Sequence, residues 1–311
     1  MVRGEARGRL ACAAALLVAG ALLSGCADAA VGRAATVENR LQRLDGVSDA
    51  SVRAVAVGAT PRIVLTADPD LDPEDLRLLL GAVEATATGE EYDDYRVELV
   101  VGDDVVVVDQ GFDREEQATA LLRRWERAAG ILDGPVRLGV DGLVRIEVAA
   151  GADFVHDLTE AAKLPSGPRT RWEVVGEHGR YRATGRIPGR DVDAARLLDA
   201  ELASAGQPVR ARTWTLERLS DRTYLDVVVD LTPGLRPDQL TRAAYEERLR
   251  PLARSAVDAT DRVRGRLDVR LVHRGTTGPD TFAWASTERD PLPERDPERR
   301  GWDGWLDDLL R

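Results

Sequence analysis

The chain reads as an α+β protein, with mixed or antiparallel sheets covered by helices and built from repeated βαββ or αββαβ sub-domains. Three observations predict this. Short β-rich runs come in pairs around Gly or Asp turns, as in Arg96 to Val101, Gly102-Asp103-Asp104 and Val105 to Val108. Amphipathic helical stretches with their own start signals lie between the pairs. Two distant stretches also share one grammar. Ile63 to Thr66 leads to Asp72-Pro73-Glu74-Asp75-Leu76, and Val228 to Leu231 leads to Arg236-Pro237-Asp238-Gln239-Leu240. Both run from strand through a Pro-bearing loop to a proline at the helix start, an acid and an apolar stripe, which predicts an internal duplication.

In order along the chain, Thr36 is placed to cap a helix with Val37, Leu41 and Leu44 on one face, ended by Asp45-Gly46. Val52 to Val57 and Arg62 to Thr66 flank the Gly58-Ala59-Thr60-Pro61 turn and predict a hairpin. Asp72 caps the next helix, with Pro73 at its first position, Glu74 and Asp75 in its first turn, and Leu76, Leu79, Leu80 and Val83 inward. The unbroken valines at 105–108 predict a strand covered on both faces. Asp113 to Glu116 fits a capping box for a helix running to Gly130, with Leu121, Leu122 and Trp125 inward.

The pattern then recurs. Val136 to Val140 and Leu143 to Val148 form a hairpin around Asp141-Gly142, followed by a helix from Asp153 to Lys163. The Pro165 to Pro168 loop is the best internal boundary. Beyond it come strands at 171–175 and 180–185, a helix at 191–204, strands at 209–216 and 223–231, a helix from Pro237 to about Val257, and strands near 267–272 and 281–285. The expected organisation is a cleaved leader at 1–25, a tether at 26–36, sub-domains at 37–164 and 169–285, a linker at 286–300 and a terminal helix at 301–311.

Composition narrows the function classes. The chain has 311 residues and a 43% hydrophobic fraction, enough for a sizeable core. Its formal charge is −11, and removal of Arg3, Glu5, Arg7 and Arg9 with the leader would make it −13. An acidic body repels phosphate backbones, so no nucleic-acid partner is expected, and it has no broad electrostatic attraction to anionic lipid. Of two cysteines, Cys12 falls in the leader and Cys26 at its end, so thiol catalysis, cysteine metal sites and disulfides are not expected in the body.

The leader has a basic start (Arg3, Arg7, Arg9), an apolar run from Leu10 to Leu23, and then Ser24-Gly25-Cys26, the layout of an export signal. That run of 14 residues is shorter than the roughly 20 a spanning helix needs. Its closing tetrad Leu23-Ser24-Gly25-Cys26 resembles the lipobox of bacterial lipoproteins. The resemblance covers residues 1–26 only. It implies cleavage before Cys26, acylation of its thiol, and an extracytoplasmic body anchored to the cell membrane by lipid, with two or more chains making the anchor stable. In element order, the opening helix, the Asp45-Gly46-Val47 turn, two strands and a helix also resemble a BON-type module, a small αββαβ unit of bacterial envelope proteins. Leu41, Leu44, Gly46, Val47, Val55 and Val64 carry that likeness, which implies binding of other envelope components.

Candidate chemistry is sparse. His156, His178 and His273 show no zinc-protease spacing. Asp153, His156 and Glu160 fall on one helical face, as a metal or acid–base site would want, but the expected roles are a helix cap for Asp153 and surface pairs with arginines for the others. His178 sits in a Gly-rich turn and His273 at a strand end. Asp68, Asp70 and Asp72 alternate like a calcium loop, but Pro73 and Leu79 replace the glycine and glutamate that such a loop requires. Nucleophile elbows, Walker loops and dinucleotide fingerprints are absent. No catalytic residue, metal or cofactor is expected, although a spatial triad or a carboxylate pair would escape a linear reading.

At the C-terminus, a Pro- and charge-rich stretch precedes Trp302, Trp305, Leu306, Leu309 and Leu310, which share one helical stripe. The stripe either docks on the chain's own body or lies in a partner's groove as the binding element of an adaptor. The expected function is that of a non-enzymatic binding or adaptor module for another envelope component. The alternatives are a tethered small-molecule or lipid binder and a carboxylate-based hydrolase, the latter marked by two close carboxyls with one pKa raised.

Overall fold

A computed structural model describes residues 32–310 apart from 54–59, 93, 115, 141–142, 151–152, 203, 205–207, 221, 232–238, 264–265, 276–277, 288–301 and 303. The leader with Cys26, the Val55–Val57 end of the first predicted strand, the Asp141-Gly142 turn, Arg236-Pro237-Asp238 and most of the predicted linker lie outside the described residues. The fold class is α+β, with a mixed sheet and helices. The chain divides into two compact units, one up to Arg123 and one from Arg124.

In the first unit, a helix at 32–41 (α1) precedes β1 (Val47–Arg53), β2 (Arg62–Ala67), α2 (Pro73–Gly89), β3 (Arg96–Val101) and β4 (Asp104–Asp109). The hairpins β1–β2 and β3–β4 are antiparallel, and α2 carries the chain across so that β2 and β3 run parallel. Asp72 caps α2 as expected, accepting from the Glu74 and Asp75 amides at 2.8 and 2.9 Å. Val106 and Val108 are buried beside Leu99 and Val97, and Val107 on the opposite face is 9% exposed, so β4 is covered on both sides there.

The ββα motif continues through the second unit. α3 (Ala118–Ala129) contains the division between units and is followed by β5 (Val136–Val140), β6 (Val144–Ala149), α4 (Phe154–Lys163), β7 (Thr170–Val175) and β8 (Gly179–Thr184). Then come α5 (Gly189–Leu202), β9 (Ala211–Leu219), β10 (Arg222–Val229), α6 (Arg242–Thr260), β11 (Arg266–Gly275), β12 (Gly278–Ser286) and α7 (Trp305–Leu310). Every hairpin here is antiparallel, and the crossovers through α4, α5 and α6 each join neighbouring parallel strands. Right-handed crossovers that always advance in one direction put α4, α5 and α6 on the same side of the sheet. Strand burial alternates accordingly: in β10, Leu225, Val227 and Val229 are buried while Tyr224, Asp226 and Val228 are half-buried.

Several expectations are corrected. The duplicated unit is a shorter ββα motif, repeated six times from β1 to α7. Thr36 is no cap: residues 32–36 are helical rather than tether, and its hydroxyl bonds the Gly32 carbonyl one turn back at 3.0 Å. β1 begins at Val47, before the predicted Val52, because Gly46 takes φ +79° and turns the chain directly out of the Leu44 region. The left-handed φ is what calls for glycine here; a Cβ would also lie 2.8 Å from Leu71 Cδ1, the movable end of that side chain. The Asp113–Glu116 capping box does not form. Asp113 lies in a separate 3-10 turn (Phe112–Arg114) beside Glu84, and α3 starts only at Ala118. The Pro165–Pro168 loop is not a boundary between the two compact units. It lies inside the second unit, where β6 and β7 pair in parallel across it.

Candidate functional site

Residues on the other side of the strands, which no helix of the second unit covers and where Val107 in the first unit is nonetheless buried, are mostly Arg, Glu, Asp and Thr. In the second unit they form cross-strand pairs. Glu173 on β7 accepts from Arg182 on β8 at 3.0 and 2.9 Å and lies 3.5 Å from Arg180. Arg171 lies 3.6 Å from Glu217, and Asp226 on β10 holds Arg270 on β11 through two bonds of 2.5 and 2.7 Å. Arg222 and Arg270 each stand 5.5 Å from the centre of the Tyr224 ring. These opposite-charge pairs offset the like-charged neighbours that register also creates on this face, Arg145 opposite Arg171, Glu147 opposite Glu173 and Arg222 opposite Arg266.

The first unit departs from that pattern. Register brings Arg53, Arg62 and Arg96 into one row across β1, β2 and β3, with Asp109 of β4 as the fourth member. Like charges directly opposite each other on neighbouring strands repel. Glu98 relieves Arg62 at 3.0 Å, and Asp109 relieves Arg96 through its Nε at 2.9 Å. The other nitrogens of both guanidiniums, and all of exposed Arg53, make no hydrogen bond or ion pair among the described residues. These side chains line an open cavity of about 720 Å³ with Gln110, Thr60 and Asp94, the last of which accepts from the Thr60 hydroxyl at 3.0 Å.

Two ionisable clusters lie on the buried side. Asp191 at the start of α5 is fully enclosed and takes two bonds of 2.5 Å from Arg218 of β9 and one of 2.9 Å from the Tyr181 hydroxyl. The Asp191 hydrogen bond raises the Arg218 pKa, while burial and then Asp191 hold the Tyr181 hydroxyl well above its ordinary value. In the first unit, Glu84 of α2 meets Asp113. Burial first, then the Asp113 hydrogen bond, pushes the Glu84 carboxyl up, and Arg114 and the Gly111 amide partly offset this. Glu84 accepts from the Gly111 amide at 2.9 Å and pairs with Arg114, which fastens the 111–114 turn onto α2.

The residues singled out from the sequence meet different fates. Asp153 caps α4 by accepting from the His156 amide at 2.9 Å, while Glu160 pairs with Lys163 at 2.5 Å and His156 lies 4.0 Å from Asp133, so the three serve as cap and surface pairs. Asp68 accepts from the Asp70 amide at 3.1 Å, a local turn. Among the described residues, no group of three or more His, Cys, Asp or Glu could hold a metal ion. His178 is exposed in the β7–β8 turn. His273 is buried inside β11 rather than at its end.

The C-terminal stripe corrects the partner-binding assignment. Trp302, Trp305 and Leu306 are 1%, 2% and 0% exposed, Trp302 Nε1 donates to the Leu240 carbonyl at 2.8 Å, and its ring stacks edge-on with Phe282 and Trp305. A tryptophan removes roughly 200 Å² from water, so this docking onto the chain's own body is strongly favourable. Leu309 is half-buried, and the Leu310 side chain lies outside what is described.

Sequence reasoning missed the arginine row. Each arginine stands next to an apolar strand run, which is a signal, but their alignment depends on register across three strands. No protein-family model matches this chain, and no curated protein matches it. The αββαβ order that resembles a BON module is present in α1, β1, β2, α2 and β3, and it is also simply one phase of the ββα motif that continues down the chain.

Proposed function

We propose that this protein is a membrane-anchored extracytoplasmic lipoprotein whose body acts as a non-enzymatic binding module for another component of the cell envelope. The observation that carries the address is Leu23-Ser24-Gly25-Cys26 after a short apolar run with a basic start. Among the described residues, no helix is long and apolar enough to cross a membrane, and the anchor in this reading is a lipid on Cys26. The binding role is supported by the arginine-lined cavity, since the C-terminal stripe is occupied by the body itself.

The test is Cys26→Ala with metabolic labelling by an alkyne-bearing fatty acid. The native chain should take up label and sediment with membranes, and the variant should lose the label and either detach or stay uncleaved. A variant that is processed and retained normally would sink the reading. The cavity also supports a second reading, a tethered small-molecule binder. A polar wall of three arginines suits a small anion better than a lipid tail. The Glu84–Asp113 pair has the raised carboxyl that a hydrolase would use, but its contacts to Gly111 and Arg114 explain it as closure of a turn.

A further inference from the structure

We infer that the cavity of the first unit binds a phosphorylated ligand, with Arg53, Arg62 and Arg96 as the phosphate-holding residues. This rests on the binding part of the proposed function and adds its ligand class.

Three arguments lead here. The first is energetic. Three arginines at opposed positions of β1, β2 and β3 repel one another; of the three nearby acids, Glu98 bonds Arg62, Asp109 bonds Arg96, and Asp94 lines the same cavity. On the corresponding side of the second unit, acids meet arginines at Glu173–Arg182, Glu217–Arg171 and Asp226–Arg270, while Arg145 opposite Arg171 and Arg222 opposite Arg266 are like-charged neighbours in twos. The row in the first unit is longer: three arginines stand side by side, where the like-charged neighbours of the second unit stop at two.

The second argument is chemical. Guanidinium nitrogens in a fixed plane match the paired oxygens of a phosphate and bond them with the strength of charge-assisted contacts. Gln110 adds an uncharged amide to the same wall. Asp94 accepts from the Thr60 hydroxyl through Oδ2 and keeps its charge and second oxygen, so a bound anion competes with Asp94 and Asp109 for the arginines.

The third is geometric. Adjacent strands lie about 4.8 Å apart, so the backbone positions of Arg53 and Arg96 are roughly 10 Å apart across the row. That is long enough to take two phosphate groups, or one phosphate and its neighbouring polar atoms, within the 720 Å³ available. The charge of the whole chain is −11, so an anion reaches this place through local contacts rather than through the overall field.

The experiment is isothermal titration of the full chain, purified in detergent, with inorganic pyrophosphate and with glycerol 3-phosphate. Citrate serves as the carboxylate control, and sedimentation with phosphatidylglycerol vesicles separates a lipid headgroup from a soluble phosphate. Saturable binding of a phosphate probe is expected, about tenfold weaker in Arg53→Ala and weakened further at high salt. Arg53 has no ion pair among the described residues, so this variant should fold normally, which its thermal melt checks. Asp109→Asn should tighten binding by releasing Arg96 from its carboxylate. A purely structural row would not show that gain.

Binding to vesicles but not to the soluble probes supports the phosphate chemistry with a lipid as its source. Binding of citrate alone overturns the ligand class while leaving the binding function standing. Absence of binding to every probe, or binding unchanged in both variants, overturns the inference. None of these outcomes depends on Cys26, so a failed anchor and a failed ligand site are read separately.

Discussion

Arg218 of the second unit and Arg96 of the first are both strand arginines held by a carboxylate, yet they occupy opposite sides of their sheets. Arg218 and Asp191 have side chains 9% and 0% exposed, and Tyr181 completes the enclosure. Arg96 and Asp109 are 43% and 49% exposed and meet through one nitrogen. The same chemical pair is thus a structural pin under the helices and an adjustable contact on the uncovered side. Burial decides which, because a charge stripped of water must keep its partner whereas a solvated one need not.

The strongest way to break this comparison is to remove the buried acid. Asp191→Asn leaves Arg218 enclosed without a counter-charge and should lower the unfolding free energy by about 3–5 kcal/mol, read from urea denaturation. Asp191→Leu combined with Arg218→Met should recover most of that loss, since the cost lies in the orphaned charge. A small loss for the single variant would place Arg218 in contact with water and dissolve the contrast.

Next in size is the C-terminal stripe. Trp305→Asp puts a carboxylate into a 2% exposed position packed against Trp302, so the melting temperature should fall by an amount equivalent to about 3–5 kcal/mol. An unchanged melt would free the stripe for a partner after all. This element also marks the limit of linear reading. The spacing of Trp302, Trp305 and Leu306 reveals an apolar stripe, but what covers it depends on Phe282 and Leu240, which lie 20 and 62 residues away from Trp302.

The α+β class, the hairpins and most helices were legible because their information is local. Asp72-Pro73 starts α2, and Gly176 to Gly179 makes the β7–β8 turn. The second case also hides a long-range reason. A Cβ on Gly179 would fall 2.4 Å from Trp214 Cζ2, so the turn glycine is needed for a tryptophan on another strand. The sixfold motif was only half seen. The likeness of Asp72-Pro73 to Arg236-Pro237 links the first repeat to the fifth and skips those between, and α6 itself starts only at Arg242, after the expected Pro237, so even that likeness does not mark two equivalent helix starts. The arginine row was invisible for a comparable reason, since a register places Arg53, Arg62 and Arg96 side by side only once three strands are paired.

A smaller effect concerns pH in the first unit. Glu84 has its pKa raised in the folded chain, by burial and then by Asp113, so the folded state holds its proton to higher pH than the unfolded state does. Its contribution is therefore fully present below the ordinary glutamate value and is lost as pH rises through the raised one. Unfolding of the native chain should become easier across that window, and Glu84→Gln should flatten the dependence while its amide oxygen still accepts from Gly111. Urea midpoints measured at several pH values across the mildly acidic range check this. A variant that keeps the native slope would assign the dependence to another group.

The smallest effect is the most discriminating for the two sides of the sheet. Arg53 lies directly opposite Arg62 on the uncovered side, is exposed, and has no ion pair among the described residues. Arg53→Thr removes the repulsion and supplies a residue that suits a strand, so stability should stay level or rise by about 0.2–1 kcal/mol, with an unchanged denaturant slope. Arg218 has the opposite sign, and no argument from residue type alone predicts opposite signs for two strand arginines. A loss above about 1 kcal/mol on replacing Arg53 would make it part of the packing of the first unit. The repulsion in the row would then be offset by structure, and a ligand would no longer be needed to account for it.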